Sequence, residues 1–167
     1  MKTLLVMAGG TGGHIYPALA VAGLLLARGV NVVWLGTRTG LEARVVPAAG
    51  IELESIEIKG LRGTNGWRRK LFLPATLIRA LWQASSVIRR RRPDALLGMG
   101  GYVAAPGALM GVLMRLPIVI HEANAIMGKA NRLLSFCSYF IFTTFNDTKN
   151  INLRFINKVK CIGMPIR

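Results

Sequence analysis

The sequence predicts an α/β fold, a parallel sheet with helices on both faces. Two observations carry this expectation. Short apolar runs of strand length alternate with longer amphipathic runs along the whole chain. In addition, 52% of the 167 residues are hydrophobic, which is enough for one domain with a substantial core. The same composition excludes a disordered chain, because disordered chains are poor in apolar residues. Two isolated cysteines, Cys137 and Cys161, exclude a disulfide scaffold and fit a reducing compartment.

The elements follow in order. Thr3–Ala8 reads as a buried strand, followed by a glycine-rich turn and a helix over 15–27. The apolar face of that helix is Ile15, Leu19, Ala22 and Leu26. Residues 30–35 form a second buried strand, and 41–49 a short helix closed near Gly50. Residues 51–58 alternate as a half-exposed strand whose phase slips at Ile56. A polar loop over 59–66 leads to a basic amphipathic helix over 74–92, with Leu77, Leu81, Ala84 and Ile88 as its packing stripe. Strands at 94–98, 117–121, 139–143 and 159–162 then alternate with helices at 102–115 and 127–136.

Two segments imitate membrane signals. Residues 4–8 are apolar after Lys2, but Gly9, Gly10, Gly12, Gly13 and Pro17 interrupt what would be a signal peptide. Residues 95–114 carry no charge, yet the five glycines Gly98, Gly100, Gly101, Gly107 and Gly111, with Pro106, suit a strand, loop and helix better than one span.

In a parallel sheet, ligands bind beyond the C-terminal strand ends. Three loops are expected on that one edge. Gly9, Gly10, Thr11, Gly12, Gly13 and His14 let the backbone approach a ligand and open a helix whose free N–H groups favour an anion. No Lys-Ser/Thr pair follows, so this is not a P-loop. It is a poor dinucleotide fingerprint as well: Ile15 stands at the third glycine position and no acid closes the second strand, leaving only Arg38 for an NADP reading. His14 is either a helix-terminal histidine bonded to backbone or a base or phosphate contact. Gly98, Gly100, Gly101 and Tyr102 make a second glycine loop, in which Tyr102 suits either core or ligand stacking. His121, Glu122 and Asn124 end an apolar strand, where polar residues point to a site. Asp94 starts its strand and belongs to the opposite edge. No His, Cys or Asp spacing fits a metal, so none is expected.

The formal net charge is +15, and basic and apolar residues coincide in one place. Nine Lys/Arg and no acid lie between Arg62 and Arg92. They interleave with large apolar residues, and Trp67, Arg68, Arg69, Lys70, Leu71, Phe72, Leu73, Ile78 and Trp82 read as a patch for an anionic membrane surface. No nucleic-acid recognition module is visible.

Taken together, the run Gly9–Ala20, the second glycine loop, His121-Glu122-Ala123-Asn124 and the closing Gly163-Met164-Pro165-Ile166-Arg167 resemble the N-terminal half of the MurG family over the whole chain. The resemblance implies a GT-B glycosyltransferase, two Rossmann-like domains around a cleft, with residues 1–167 as the acceptor and membrane-binding domain and the C-terminal UDP-sugar domain absent. It implies transfer of N-acetylglucosamine from UDP-GlcNAc to the muramyl C4 hydroxyl of lipid I, with inversion, making lipid II for peptidoglycan. The isolated fragment is then expected to be inactive. By position, Gly10, Thr11, Gly12, Gly13, His14, Gly100, Gly101, Tyr102, Glu122 and Asn124 would meet substrate, with His14 first and Glu122 second as candidate base. No cofactor or nucleic acid is implied; the location would be peripheral, on the cytoplasmic face of the bacterial inner membrane. The alternative is a non-catalytic membrane-anchoring subunit that recruits a separate donor-binding chain. Two positions depart from the family pattern: Ala123, where Gln is usual, and Met164, where Asn is usual.

Overall fold

The computed structural model describes residues 1–58 and 67–166, and for 67–73 the backbone alone. The first half reads β1 (Thr3–Ala8), α1 (Gly12–Ala27), β2 (Asn31–Gly36), α2 (Glu42–Ala48), β3 (Glu52–Ser55) and α3 (Trp67–Arg91). The second half reads β4 (Ala95–Gly100), α4 (Ala104–Leu113), β5 (Ile118–Glu122), α5 (Lys129–Leu134), β6 (Phe140–Thr143), a 3₁₀ turn (Leu153–Lys158) and β7 (Val159–Cys161). The strands form one sheet in the order β3-β2-β1-β4-β5-β6-β7, and every pair is parallel. This is the Rossmann-like α/β fold expected.

Side chains alternate between two cores. On one face Val6, Ala8, Val32, Trp34 and Leu97 pack against Ile15, Ala18, Leu19 and Ala22 of α1 and Val46 of α2. On the other, Leu5, Met7, Leu35, Leu96, Ile118 and Ile120 pack against α3, α4 and Leu134 of α5. Strand order reverses between β1 and β4, the switch point where doubly wound sheets hold ligands. The β1–β4 register shifts there, from Met7↔Gly98 to Ala8↔Gly100, so a bulge marks the same spot.

Several boundaries differ from the sequence reading. Helix α1 starts at Gly12, not residue 15, because Thr11 (φ −112°, ψ 154°) already supplies the extended cap. Strand β3 stops at Ser55; Ile56 leaves the strand to bury its side chain while its N–H still donates to the Gly36 carbonyl at 3.0 Å. Helix α4 starts late because Gly100 and Gly101 hold φ at 106° and 86°, so the chain is still turning at Tyr102. The packing seam of α3 is Ala80, Ala84, Val87 and Ile88; Leu77, expected in it, is 45% exposed. The 3₁₀ turn was not expected, although Asn152 caps it by accepting from the Arg154 N–H at 3.0 Å. The loop expected at 59–66 lies outside the described residues.

Candidate functional site

The three loops named from sequence leave the same rim, since β1, β4 and β5 are parallel neighbours. In the first, Gly9 is buried and Gly10 sits at φ 95°. Thr11 and Gly13 are exposed. The amides of Gly12 and Gly13 open a 16-residue helix, where first-turn N–H groups have no intrahelical acceptor. Thr11 caps no amide with its side chain; its Oγ1 lies 3.2 Å from His14 Nδ1 instead.

The glycine loops touch directly. A Cβ on Gly101 would overlap the Gly9 carbonyl, and one on Gly100 would lie 2.8 Å from His14 Cδ2 and 2.9 Å from Nε2. The second loop therefore needs glycine for space as well as for positive φ. Tyr102 is half-buried: its ring reaches Gly10 and also packs on the core. The core reading of Tyr102 holds in part, and its ring also borders the first glycine loop. Burial pushes the pKa of His14 down, and the nearby Glu122 charge pulls it partly back, so the ring is neutral near pH 7.

The third loop is organised around Glu122, which is 1% exposed. Oε1 accepts from the Asn124 N–H at 2.9 Å and Asn124 Nδ2 at 2.7 Å. Oε2 accepts from the Gly128 N–H at 2.9 Å and Asn131 Nδ2 at 3.0 Å. Four donors occupy a carboxylate with about four acceptor positions. Asn131 also donates to the His121 carbonyl at 3.1 Å. His121 points to the other face, where Nε2 lies 3.2 Å from the Gly163 carbonyl; burial lowers its pKa, opposed by that carbonyl and by Glu122. Ala123 is buried and Asn124 exposed.

A groove of about 900 Å³ runs from the first loop between α1 and α2 to the chain's last residues, bounded by Gly12, Gly13, Tyr16, Arg44 and Met164. Among the described residues no three His, Cys, Asp or Glu side chains are placed to hold a metal ion.

On the far helical layer, α3 and α4 pack side by side. Ile78 and Trp82 are 67% and 71% exposed, as the patch requires. The side chains of Trp67, Arg68, Arg69, Lys70, Leu71, Phe72 and Leu73 lie outside the described residues. Leu109 and Leu113 of α4, missed in the sequence, add exposed apolar surface. Three arginines are partly neutralised: Arg79 pairs with Glu57 (3.0 Å), Arg90 with Glu54 (2.6 Å), and Arg91 with Glu54 (2.6 Å) and Glu52. Burial opposes the charged form of Glu54, and the bonds from Arg90 and Arg91 outweigh it, holding its carboxyl low. Among the described residues no helix is long and apolar enough to cross a membrane.

Sequence reasoning missed Glu42, whose buried carboxylate sits beneath the first loop, and Asn131. Each sits in a short helix that carries other polar residues, Arg44 in α2 and Lys129 and Arg132 in α5, so residue type alone does not single it out.

The family described as glycosyltransferase family 28 N-terminal domain matches residues 4–142. The chain is 61% identical over 142 residues, 85% of its length and 40% of the relative's, to the UDP-N-acetylglucosamine–N-acetylmuramyl-(pentapeptide) pyrophosphoryl-undecaprenol N-acetylglucosamine transferase of Alkalilimnicola ehrlichii. It is 47% identical over its full 167 residues to the same-named protein of Aromatoleum aromaticum, covering 44% of that protein. The crystal structure of Acinetobacter baumannii MurG superposes with a TM-score of 0.84 at 37% identity, over 100% of this chain and 47% of that one. The chain thus spans less than half the length of these relatives.

Proposed function

The chain belongs to the glycosyltransferase family 28 N-terminal domain family, and from that premise we propose that it is the acceptor-binding domain of an inverting N-acetylglucosaminyltransferase of peptidoglycan synthesis. The acceptor is lipid I and the donor UDP-GlcNAc, as the names of its relatives suggest. The donor is held chiefly by a second domain across the rim.

One observation carries the reading: two glycine loops meet at the switch point with the His14 ring seated on Gly100. The amides of Gly12 and Gly13 and the positive end of α1 receive diphosphate oxygens. Thr11, Gly10, Gly101 and Tyr102 shape the same seat. With Nδ1–H donated to Thr11 Oγ1, the lone pair of His14 lies on Nε2, the atom beside Gly100. Nε2 takes the proton of the muramyl C4 hydroxyl as that oxygen bonds to the anomeric carbon of the sugar. The carbon–oxygen bond to UDP breaks, and inversion follows from attack opposite the leaving group. Neutrality of His14 near pH 7 suits it to this task.

Glu122 is the second candidate base, but its lone pairs are engaged by Asn124, Gly128 and Asn131. We assign it to holding the loop and to stabilising the imidazolium that His14 becomes. Ile78, Trp82 and the neighbouring basic residues rest on the anionic cytoplasmic face of the inner membrane, where a lipid-tethered acceptor lies.

Calorimetric titration with a soluble short-chain lipid I analogue, and separately with UDP-GlcNAc, tests the assignment. Saturable binding of the first with weak or no binding of the second is expected. Binding of UDP-GlcNAc alone overturns it.

A further inference from the structure

Glu42 belongs to none of the three rim motifs, yet its carboxylate is completely buried. Oε1 accepts from the Thr37 N–H at 3.0 Å and the Thr37 hydroxyl at 2.7 Å. Oε2 accepts from the Gly10 N–H at 3.4 Å. No Lys or Arg pairs with it among the described residues. Three glycines from three segments leave room for it. A Cβ on Gly9 would lie 2.9 Å from Oε1, one on Gly36 2.7 Å from Cγ, and one on Gly40 would overlap the carboxylate.

This placement is costly twice over. An unpaired buried charge is unfavourable, and a negative group behind an anion-binding loop repels the ligand. The geometry offsets both. A carboxylate is acceptor-only, so it can take donors from two loops at once. It turns the Gly10 amide inward, while the Gly9 carbonyl bears on Gly101. The chain then enters α1 with the amides of Gly12 and Gly13 open to the rim.

We propose that Glu42 is a positioning residue: it fixes the Gly9–Gly10 peptides so that the next amides of the loop, and the second glycine loop resting on Gly9, present themselves to the acceptor diphosphate. The functional half of this inference rests on the rim being the diphosphate seat, and the test separates the two.

Amide NMR spectra of this chain and of Glu42→Gln are compared, each titrated with the soluble lipid I analogue. In Glu42→Gln the Gly10 and Thr37 amide protons are expected to move upfield and those of Gly12, Gly13, His14 and Gly101 to shift with them. Amides of β6 and β7 stay in place. Affinity for the analogue falls about tenfold, the scale of a lost charge-assisted hydrogen bond. Unchanged Gly12, Gly13 and His14 resonances overturn the proposal. Should Glu42→Gln not fold, Thr37→Val, which removes the 2.7 Å donor and keeps the charge, gives the same comparison. If the wild-type chain does not bind the analogue, the diphosphate reading fails, and the loop resonances still decide the role of Glu42.

Discussion

At the scale of single residues, the proposed function puts the proton transfer on His14. In a full-length family 28 enzyme carrying this domain, His14→Ala is expected to lower turnover about 100-fold, the smaller end of general-base effects, with an unchanged circular dichroism spectrum. Turnover within threefold of wild type removes His14 as base. The third loop answers to stability instead. Asn131→Ala takes a donor from Glu122 and from the His121 carbonyl. It should cost about 1–3 kcal/mol in urea denaturation, because buried acceptors lose partners. Burial lowers the pKa of both His14 and His121 below 6.5. The unfolded chain therefore binds these protons at higher pH than the folded one, and stability falls as pH drops from 6.5 through the folded values. Above 6.5 the two histidines add no slope. Denaturation midpoints at a series of pH values check this, and His121→Phe should flatten the fall. Much of this scale was legible: the glycines, His14 and Glu122 stand out by type and position. Glu42 and Asn131 did not, because what distinguishes them is the set of distant glycines and carbonyls around them, and one-dimensional spacing does not show it.

At the scale of elements, packing distances decide. Helix α4 lies so close to the sheet that a Cβ at Gly107 would fall 2.8 Å from Leu35 Cδ2 and 2.5 Å from Met7 Sδ. Gly107→Val should destabilise the chain by about 2 kcal/mol through overpacking, read from thermal or urea unfolding. An unaltered midpoint contradicts the close approach. Helix α3 carries the membrane prediction. Trp82→Asp, at an exposed position, should leave the midpoint unchanged while weakening sedimentation with anionic vesicles. Strand and helix identities were readable because apolar period and length agreed in each. Ends were harder. The start of α1 was hidden by glycines that look like loop, and the seam of α3 runs through Ala80 rather than Leu77, where small side chains suit the close packing of α3 on α4.

At the scale of the whole molecule, charge and topology act together. A net charge of +15 attracts any anionic surface. Ion pairs with Glu52, Glu54 and Glu57 withdraw Arg79, Arg90 and Arg91 from part of that role. Vesicle binding should therefore combine an electrostatic part lost near 1 M salt, where the Debye length is about 3 Å, with an apolar part that survives. The parallel order was implied by strand–helix alternation, and the reversal between β1 and β4 is what gathers both glycine loops into one seat. The most direct measurement is residue-resolved amide mapping of the chain with the short-chain lipid I analogue. The largest perturbations are predicted at Gly12, Gly13, His14, Gly101 and Tyr102. Perturbations confined to α3 and α4, with those five amides unmoved, would contradict the account.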